Sequence, residues 1–477
     1  MLIKQNNDTF IRFFGDVGYI KNQRLNLDLV YNETGKYYLS QLSRQPREFD
    51  EILDSLLDLF IGSTREIIRD DFSQFVAFLE SSGFIITGKD IDELNIKESA
   101  YQATHSSSQT NYPIIQQDLG ITHSSALLFK LFKQRPQIFD IQIELTRRCN
   151  EKCIHCYLPI KERTSMPGRS MTTEEVKNVL DQAAAMGVLG VTFSGGELLL
   201  RKDLYELLRY AREKDLIINL FSNVVLLTSE IVSQWKAVNV NTVQVSLYSM
   251  DPTIHEAVTG VKGSYERTRK GIELLVENGI NVIISCPVMK LNRSSFRDVL
   301  AYADSLHIKA GGDYQLIGQG DLNTSNLSQR MSFREAEEFL KDMVSNNEEY
   351  RESLKSKVQN YDFEERTVED KLACGAGIDT INIAANGDII PCPGWYGLVL
   401  GNITTDLLEE VWTKSDKLNE LREIRLSQFP KCAKCDARPF CYMCLLRNFN
   451  ENNGDMFKIP ANTCQIARLR KRLFENL

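Results

Sequence analysis

The sequence predicts an α/β fold whose central part is a parallel sheet covered by helices. Short apolar segments alternate with amphipathic helical segments from residue 139 to about residue 340, which is the pattern of repeated β–α units. Ten of the eleven cysteines also fall into two blocks, one at the beginning of this alternating region and one after it. Sites in such sheets form where loops leave the carboxyl ends of the strands, so the first cysteine block marks the expected functional edge.

The composition of the 477-residue chain is that of an ordinary folded protein, with 43% apolar and 25% charged residues. Its net charge of −8 gives no general attraction to a phosphate backbone, so we expect no nucleic-acid partner. No apolar run approaches the roughly eighteen residues of a membrane span, and the first residues lack the apolar centre of a signal peptide. Eleven cysteines without a secretion signal favour metal ligation in a reducing, cytoplasmic environment.

Residues 1–95 are predicted to form a small α+β domain. Apolar residues at helical spacing indicate three helices, and short β-rich runs indicate strands before and after them. The predicted strands are at 10–14, 18–20, from residue 30, and at 83–86, and the helices are near 37–42, 51–60 and 70–81. Residues 96–136 are predicted to be a linker, because the stretch 104–111 is polar and has no periodicity.

Six predicted strands and the helices between them occupy residues 137–345. The strands are expected at 141–145, 191–194, 217–221, 242–247, 282–288 and 314–317, and the helices at 172–186, 203–214, 264–277 and 294–305. Alternation of this kind gives a parallel sheet with its helices outside.

The first cysteine block has the spacing C-x3-C-x2-C and consists of Cys149, Cys153 and Cys156. Cysteine thiolate is the soft ligand that the irons of a 4Fe–4S cluster prefer, and three thiolates hold three of the four irons. The fourth iron is then open to chelation by the amino and carboxylate groups of S-adenosylmethionine. The alternatives are a zinc knuckle, which usually takes four ligands, and three buried cysteines without a metal.

Together with the apolar strand before it and His155 ahead of its last cysteine, this block resembles the signature of the radical S-adenosylmethionine superfamily. The resemblance implies a partial (β/α)6 barrel. It also implies reductive cleavage of S-adenosylmethionine to methionine and a 5′-deoxyadenosyl radical, which removes a hydrogen atom from the substrate. No residue of the chain is assigned as a catalytic acid or base.

Other barrel segments resemble the cofactor contacts of that superfamily. The segment 194–197, Ser-Gly-Gly-Glu, resembles its Gly-Gly-Glu-Pro motif, with Leu198 in place of the proline. Thr259 stands where the superfamily often has an arginine that contacts the cofactor carboxylate. The residues that the resemblance assigns to S-adenosylmethionine are His155, Gly195, Gly196, Glu197, Asn223 and Ser246.

The second cysteine block has the spacing C-x12-G-x4-C, then C-x2-C-x5-C-x2-C, then a distant last cysteine. It resembles the auxiliary-cluster domain named for subtilosin, pyrroloquinoline quinone, sulfatase and mycofactocin maturation (SPASM). The resemblance implies two auxiliary 4Fe–4S clusters, so three clusters in all, and one auxiliary cluster again has an open iron. The implied ligands are Cys432, Cys435, Cys441 and Cys464 for the complete cluster, and Cys374, Cys392 and Cys444 for the open one. A zinc ribbon is the alternative.

The order of strands and helices in residues 1–95, with Asn-Glu-Thr-Gly at 32–35, resembles the winged-helix leader-recognition domain of peptide-maturing enzymes. In that family an extended leader peptide adds to a sheet edge. A packing or dimerisation domain is the alternative. The chain is therefore predicted to consist of a leader-recognition domain (1–95), a linker (96–136), a radical S-adenosylmethionine partial barrel (137–345), a bridging segment (346–372) and a SPASM domain (373–477).

These resemblances imply an enzyme that modifies a ribosomally made precursor peptide and takes electrons from a low-potential donor such as ferredoxin or flavodoxin. An open iron on the Cys374 cluster would accept a substrate thiolate, which favours thioether crosslinks as in sactipeptide- and ranthipeptide-type maturases. Carbon–carbon or carbon–oxygen crosslinking, sulfatase maturation and a non-catalytic iron–sulfur scaffold are the alternatives. Sulfatase maturation is disfavoured because that branch commonly has an aspartate after the second auxiliary cysteine, where this chain has Pro393.

Overall fold

The computed structural model describes residues 1–104, 124–164, 168–359 and 370–477. The chain separates into two compact units. Unit 1 consists of Met1–Phe139 with the short segments Ala184–Gly190 and Ala211–Ile217, and unit 2 contains the other residues. Among the helices of the described residues, none is long and apolar enough to cross a membrane.

Unit 1 contains two small antiparallel sheets packed with helices. The strands are β1 (Leu2–Gln5), β2 (Thr9–Phe14), β3 (Val17–Asn22), β4 (Leu27–Asn32), β5 (Arg47–Glu48) and β6 (Ile85–Gly88). The helices are α1 (Glu33–Ser40), α2 (Phe49–Leu59), α3 (Arg65–Ser81), α4 (Ile91–Thr104) and α5 (Ser124–Gln134). One sheet has the order β5–β1–β6 and the other has the order β2–β3–β4.

The helices of unit 1 form because their apolar residues recur on one face. In α3 the Thr64 hydroxyl accepts from the backbone N–H of Ile67 and caps the first turn. The buried residues of α3 are spaced three or four apart, as an amphipathic helix requires: Ile68, Phe72, Val76 and Leu79. They pack with apolar residues of α1, α2 and the sheets into one hydrophobic core. The three helices and the strands predicted before and after them are present, with shifted ends.

The predicted linker is wrong in the residues that the structure describes. Helix α4 continues to Thr104, and α5 begins at Ser124, while residues 105–123 lie outside the described part. The sequence of α4 has little apolar periodicity, and tertiary contacts hold it instead. Leu94 is buried, and the Glu98 carboxylate forms an ion pair with Lys4 of β1.

Within the described residues, unit 2 is built on a nine-stranded sheet. Its strands are β7 (Asp140–Thr146), β8 (Gly190–Gly195), β9 (Ile217–Ser222), β10 (Thr242–Ser246), β11 (Val282–Ser285), β12 (Lys309–Gly311), β13 (Thr380–Ile383), β14 (Asp388–Ile390) and β15 (Gly401–Asn402). The helices between β7 and β12 are α6 (Ile160–Thr164), α7 (Thr173–Ala185), α8 (Leu204–Glu213), α9 (Ser229–Ala237), α10 (Pro252–Thr259), α11 (Ser264–Glu277) and α12 (Phe296–Ser305). The helices after β12 are α13 (Phe333–Asn346), α14 (Glu348–Gln359), α15 (Leu408–Lys414), α16 (Asp416–Arg422), α17 (Pro430–Ala433), α18 (Leu445–Glu451) and α19 (Ala461–Glu475).

The strand order of this sheet is β12–β11–β10–β9–β8–β7–β13–β14–β15. The pairs β9–β10, β10–β11, β11–β12 and β7–β13 are parallel, as β–α repeats require. The α/β class with a partial barrel is therefore confirmed.

The sixth barrel strand is not where the sequence predicts it. Residues 314–317 form no strand, and β12 (Lys309–Gly311) takes that place. The carbonyls of this segment bond to arginine side chains instead of to a sheet: Arg447 Nη2 donates to the Gln315 oxygen (3.0 Å), and Arg330 donates to the Leu316 oxygen. The predicted strand at 282–288 is also shorter, since β11 ends at Ser285.

Strands β13 and β14 form a hairpin, and the dipeptide Asn386-Gly387, which is common in hairpin turns, lies in the connection with Gly387 at a φ of +93°. Strand β13 also pairs in parallel with β7, with Ile381 opposite Ile141. The C-terminal domain thus continues the sheet of the barrel. As a result, the strand that leads into the first cysteine block lies beside the hairpin that leads to Cys392.

Candidate active site

The first cysteine loop, residues 149–156, begins three residues after β7 ends. Two backbone hydrogen bonds attach it to the end of α10. The Lys152 N–H donates to the Thr259 carbonyl (2.8 Å), and the Ile154 N–H donates to the Val258 carbonyl (3.0 Å). The backbone between the cysteines is therefore held in place by the barrel.

The three thiols of this loop lie within electrostatic reach of one another. Burial is the main cause that raises the pKa of each thiol, to about 12 for Cys149. The charge of Cys156 raises the pKa of Cys149 and Cys153 further. Thiolates in such a place need a compensating positive charge, which a metal cluster supplies. The donor set consists of soft sulfur atoms, as iron–sulfur clusters prefer.

Side chains from the loops after β9 and β10 reach two of these thiols. The Asn223 amide donates to the Asn150 side-chain oxygen (2.7 Å), and its nitrogen lies 4.0 Å from Cys149 Sγ. The Tyr248 hydroxyl lies 3.6 Å from Cys153 Sγ. Hydrogen bonds to ligand sulfurs orient the ligands and tune the potential of a cluster. The sequence singled out Asn223 but missed Tyr248, which carries no motif signal.

Gly195 and Gly196 are required by the close approach of two loops. An added Cβ at Gly195 would lie 2.2 Å from the Thr146 carbonyl oxygen, and one at Gly196 would lie 2.1 Å from the Arg148 carbonyl oxygen. Gly195 also has a φ of +136°, which favours glycine. The Gly196 N–H donates to the Thr146 carbonyl (2.6 Å). These glycines hold the end of β8 against the backbone that enters the first cysteine loop, and their contact with S-adenosylmethionine stays a prediction.

Glu197 is fully buried, and its carboxylate joins the loops after β8 and β9. Its Oε1 accepts from the Leu199 N–H (2.9 Å) and the Ser222 hydroxyl (2.8 Å), and its Oε2 accepts from the Asn223 N–H (2.8 Å). Burial is the main cause that raises its pKa. The predicted bond from the cofactor ammonium would have to use the remaining acceptor position on Oε2.

His155 and Ser246 lie on either side of Tyr248. The His155 ring packs against the Tyr248 ring with centroids 5.0 Å apart, and burial lowers the pKa of this histidine to about 4, so the imidazole is neutral. Ser246 ends β10, in register with Ser285 of β11. The roles of both residues toward the cofactor stay predictions.

Several buried polar atoms beside the first cysteine loop have no partner within the described residues. They are the Asn150 amide nitrogen, Glu151 Oε1 and His155 Nδ1. Buried polar atoms are normally hydrogen-bonded, so a bound polar group is expected to satisfy them. Burial also raises the pKa of Glu151 to about 7. With the three soft thiols, this arrangement fits a polar cofactor bound to an iron–sulfur cluster.

The number of donors in the first cysteine loop does not favour zinc. Structural zinc needs four donors around one ion, and this loop supplies three cysteines. A 4Fe–4S cluster is wider and takes each thiolate at a different iron.

The seven C-terminal cysteines separate into two groups. The Cys444 thiolate raises the pKa of Cys374 and of Cys392, and Cys374 also acts on Cys392, although burial is the main cause at both. We name Cys374, Cys392 and Cys444 the three-cysteine group. Its members come from the start of the C-terminal domain, from the end of the β13–β14 hairpin and from the residue before α18.

The remaining cysteines form a second group. The pKa of Cys432 is raised to about 11, mainly by burial and then by Cys441, Cys464 and Cys435. We name Cys432, Cys435, Cys441 and Cys464 the four-cysteine group. The division of the block agrees with the ligand sets that the SPASM resemblance implies, and the role of these residues as ligands stays a prediction.

A buried carboxylate links the barrel to the loop after Cys392. Glu144 lies on β7 and is fully buried, and the Tyr396 hydroxyl lies 2.9 and 3.0 Å from its two oxygens. Burial raises the pKa of Glu144 to about 7. The Arg147 guanidinium lies over the Tyr396 ring, 4.3 Å from its centroid. The sequence signal for this contact is a glutamate, Glu144, inside the predicted buried strand 141–145.

Comparison with known protein families identifies both parts of unit 2. Residues 143–303 match the radical SAM superfamily, and residues 374–436 match the iron–sulfur cluster-binding domain SPASM. The first match contains the first cysteine loop, and the second contains four of the seven C-terminal cysteines. Residues 143–303 therefore form a radical SAM domain and residues 374–436 a SPASM domain, and these domains indicate S-adenosylmethionine and iron–sulfur clusters as cofactors.

The chain is also similar to individual proteins, in sequence or in fold. The chain is 26% identical over 324 residues to the AdoMet-dependent heme synthase of Methanosarcina barkeri, in a match that covers 64% of this chain and 90% of the relative. It is 28% identical over 329 residues to the antilisterial bacteriocin subtilosin biosynthesis protein AlbA of Bacillus subtilis, covering 66% of this chain and 69% of the relative. The crystal structure of Streptococcus suis SuiB bound to precursor peptide SuiA has the same fold over 97% of this chain and 100% of that chain, with a TM-score of 0.63 and 16% identity.

Proposed function

We propose that this enzyme crosslinks a ribosomally made precursor peptide, that the peptide binds through its leader, and that the new bond is a thioether. The observation that supports a peptide substrate is the presence of unit 1. The heme synthase match accounts for 64% of the chain, whereas the fold of SuiB, a protein seen with its precursor peptide, extends over 97%. The chain therefore has a region beyond what the heme synthase match covers, and leader recognition gives that region a use.

Strand β4 is the sheet edge that we assign to the leader. It lies at one edge of the β2–β3–β4 sheet, and β2 lies at the other edge. On β2, the Thr9 carbonyl accepts from Arg44 Nη2 (2.8 Å), and the Ile11 carbonyl accepts from Arg12 Nη1 (2.8 Å). An added strand needs free backbone groups, so the arginines make β2 the poorer edge.

An apolar stripe on α3 runs beside β4. The stripe consists of Ile67, Phe75 and Phe78, which share one face of the helix with Asp71, at spacings of four, four and three residues along that face. Phe75 packs against Tyr31 of β4 with ring centroids 5.3 Å apart, which places this stripe next to the edge strand. The Ile67 side chain is 62% exposed. An extended leader paired with β4 would bury its apolar side chains against this stripe, gaining specificity from these contacts.

One part of the inner face of the barrel sheet is polar. Alternate residues of β7, β8 and β10 face away from the covering helices, and Gln142 of β7 donates to the Ser194 hydroxyl of β8 on that face (2.8 Å). On these three strands the face consists of Asp140, Gln142, Glu144, Thr146, Thr192, Ser194, Thr242, Gln244 and Ser246. In register with Gln244, the same face continues with Phe221 of β9, Ile283 of β11 and Lys309 of β12. Amide and hydroxyl side chains match peptide groups, so the part formed by β7, β8 and β10 supports a peptide substrate.

The residues of the first cysteine loop have a defined role in this proposal. Cys149, Cys153 and Cys156 hold the cluster, and the unpartnered polar atoms beside them receive S-adenosylmethionine. When bound, this pair supplies a carbon-centred radical that removes a hydrogen atom from the peptide. Gly195 and Gly196 keep the two loops close enough to exclude water from that place.

The three-cysteine group carries the thioether assignment. Three thiols leave one position of a 4Fe–4S cluster without a protein ligand, and a substrate cysteine is the natural soft ligand for it. Cys444 precedes α18, where its sulfur accepts from the Arg447 N–H (3.5 Å). In this proposal the chain contains three 4Fe–4S clusters, one in the first cysteine loop and one in each C-terminal group.

Leader recognition is tested with full-length and leaderless forms of a short precursor peptide that has a cysteine in its core. Wild-type enzyme should modify the full-length form much faster. The Ile67→Arg variant should lose about tenfold or more in affinity for the isolated leader, because a charge in the apolar stripe is desolvated on binding. Ile96→Arg is the matched control, since Ile96 is 69% exposed on α4, away from the stripe. Equal leader affinity of the two variants would contradict the assignment of β4 and the apolar stripe as the leader site.

Heme synthesis is the second candidate, because heme synthases are among the sequence relatives. The amide and hydroxyl side chains on β7, β8 and β10 support the peptide instead. Enzyme supplied with S-adenosylmethionine, reductant and an iron porphyrin precursor should form no heme. Heme formation at a rate above that of peptide modification would replace the peptide proposal.

A further inference from the structure

The four-cysteine group adjoins exposed basic residues, and the three-cysteine group does not. Exposed Lys431 and Lys434 are the direct neighbours of Cys432 and Cys435 along the chain. The direct neighbours of the three-cysteine group include no lysine or arginine, and two of them, Ala373 and Leu445, are buried. A partner that binds these exposed lysines would therefore lie beside the four-cysteine group.

The surface over the four-cysteine group is basic, although the whole chain has a net charge of −8. Arg468 is exposed one helical turn after Cys464 on α19, and we name Lys431, Lys434 and Arg468 the basic patch. The nearby carboxylates of Asp436 and Glu475 are both paired with Lys471, at 2.5 and 3.3 Å. Lys471 neutralises one of these two negative charges. One negative charge therefore remains near the three positive charges of the basic patch.

Arg438 adds a positive charge close to Cys441 of the four-cysteine group. It is half-buried, and its charge and hydrogen bond lower the pKa of Cys441, which burial raises. The Arg470 guanidinium, two residues after Arg468 on α19, is fully buried and donates to the Phe440 carbonyl (2.9 Å). Positive charge around thiolates favours the reduced, more negative form of a cluster and attracts an anionic partner.

We propose that the basic patch is the docking surface for an acidic one-electron carrier protein of the flavodoxin or ferredoxin class. The proposal rests on the proposed function in one respect. When a substrate carbon radical joins a thiolate, the thioether forms and one electron is left over. The oxidised carrier accepts that electron, so it arrives oxidised and leaves reduced by one electron.

Charge complementarity selects this occupant. Small electron carriers of this class are acidic, and weak, fast, salt-dependent association is what electrostatic steering provides. A carrier bound to the patch would lie next to the four-cysteine group, because Lys431 and Lys434 are sequence neighbours of its ligands Cys432 and Cys435. A surface that binds any acidic protein would bind partners with and without a redox centre equally well. The experiment distinguishes such a surface from a docking site for an electron carrier.

The test uses the full chain with Cys149, Cys153 and Cys156 replaced by Ala, so that only the C-terminal groups exchange electrons. The reduced enzyme is mixed with oxidised flavodoxin, and semiquinone formation is followed by stopped flow. Adding Lys431→Glu, Lys434→Glu and Arg468→Glu should lower the second-order rate constant about tenfold at low salt and remove most of its salt dependence. The same variant should bind oxidised flavodoxin about tenfold more weakly in biolayer interferometry.

The control carries the same change in net charge elsewhere. Lys89→Glu, Lys202→Glu and Lys236→Glu replace exposed lysines away from the cysteine groups, and this variant should stay within about twofold of the parent. Equal rates for the patch and control variants would overturn the docking site. So would equal affinity of the patch for flavodoxin and for an acidic protein without a redox centre.

Iron content separates the failure of docking from the failure of the proposed function. Chains without iron in the C-terminal groups would contradict both. Full iron, with a carrier that reacts equally fast with both charge variants, would overturn docking alone.

Discussion

The two cysteine groups of the SPASM domain differ in ligand number and in surroundings. The three-cysteine group lacks one ligand for a 4Fe–4S cluster and has buried neighbours, whereas the four-cysteine group is complete and lies under exposed basic side chains. An open position suits binding of a substrate, and a closed, accessible group suits transfer of electrons. The domain thus offers separate places for chemistry and for electron exchange.

Both groups are held by a buried polar contact. Near the three-cysteine group, β13 pairs with β7, and the Tyr396 hydroxyl bonds to the buried Glu144 carboxylate. Near the four-cysteine group, the buried Arg470 guanidinium of α19 donates to the Phe440 carbonyl (2.9 Å), and Lys471 and Asp436 add an exposed ion pair. Buried contacts fix position, while exposed pairs contribute little. The Tyr396 hydroxyl should therefore matter more for stability than the Lys471–Asp436 pair.

Removing the first cysteine loop should have the largest effect. We expect Cys149→Ala, Cys153→Ala and Cys156→Ala together to abolish cleavage of S-adenosylmethionine and to remove about a third of the iron of three clusters. The measurements are 5′-deoxyadenosine by mass spectrometry and iron per chain. Cys286→Ala is the control, since Cys286 is buried after β11 and belongs to no group; it should retain both. Cleavage in the triple variant would contradict the assignment of this loop.

Single substitutions in the two groups should separate their roles. Cys444→Ala should lower peptide crosslinking about a hundredfold or more while 5′-deoxyadenosine still forms, because the substrate sulfur is no longer held near the carbon radical. Cys464→Ala in the four-cysteine group should lower crosslinking only about tenfold, since it impairs electron transfer but not thiolate binding. Both products are quantified in one reaction. The reverse order of the two losses would contradict the division of roles.

The buried carboxylate predicts a pH dependence of stability. The pKa of Glu144 is raised by burial from 4.5 to about 7, so the native state prefers its neutral form. This contribution is fully present below about pH 4.5 and is lost as the pH rises to 7. A shift of this size corresponds to roughly 3 kcal/mol at most. Glu144→Gln should therefore gain melting temperature relative to wild type between pH 5 and pH 8, and a difference that does not change with pH would contradict this account.

The buried Tyr396–Glu144 contact and the exposed Lys471–Asp436 pair should differ in their effect on stability. Tyr396→Phe removes a hydroxyl that bonds a buried carboxylate and should lower the free energy of unfolding by about 1–3 kcal/mol at pH 8. Lys471→Met removes the exposed pair with Asp436 and should leave the denaturation midpoint unchanged. Denaturant unfolding at fixed iron content measures both. Equal losses of unfolding free energy in the two variants would contradict this difference between the buried contact and the exposed pair.

Much of this organisation could be predicted from the sequence, because metal ligands and β–α alternation depend on local spacing. The first cysteine loop, the Gly195–Gly196 turn and the β13–β14 hairpin are such features. The errors arose where distant contacts decide the structure. Helix α4 has weak periodicity and is held by Lys4, and residues 314–317 do not form a strand because arginines take their carbonyls. The Glu144–Tyr396 contact joins residues 252 positions apart, which no local pattern reveals.

The central claim is that the three-cysteine group binds the thiolate of the substrate peptide. The direct measurement is electron paramagnetic resonance of reduced enzyme with Cys149, Cys153 and Cys156 replaced by Ala, so that only the C-terminal clusters contribute. A core peptide with its cysteine should change the spectrum of one cluster, and the same peptide with serine should not, because an alcohol is a poor ligand for iron. An unchanged spectrum with the cysteine peptide, while wild-type enzyme still crosslinks it, would contradict the claim.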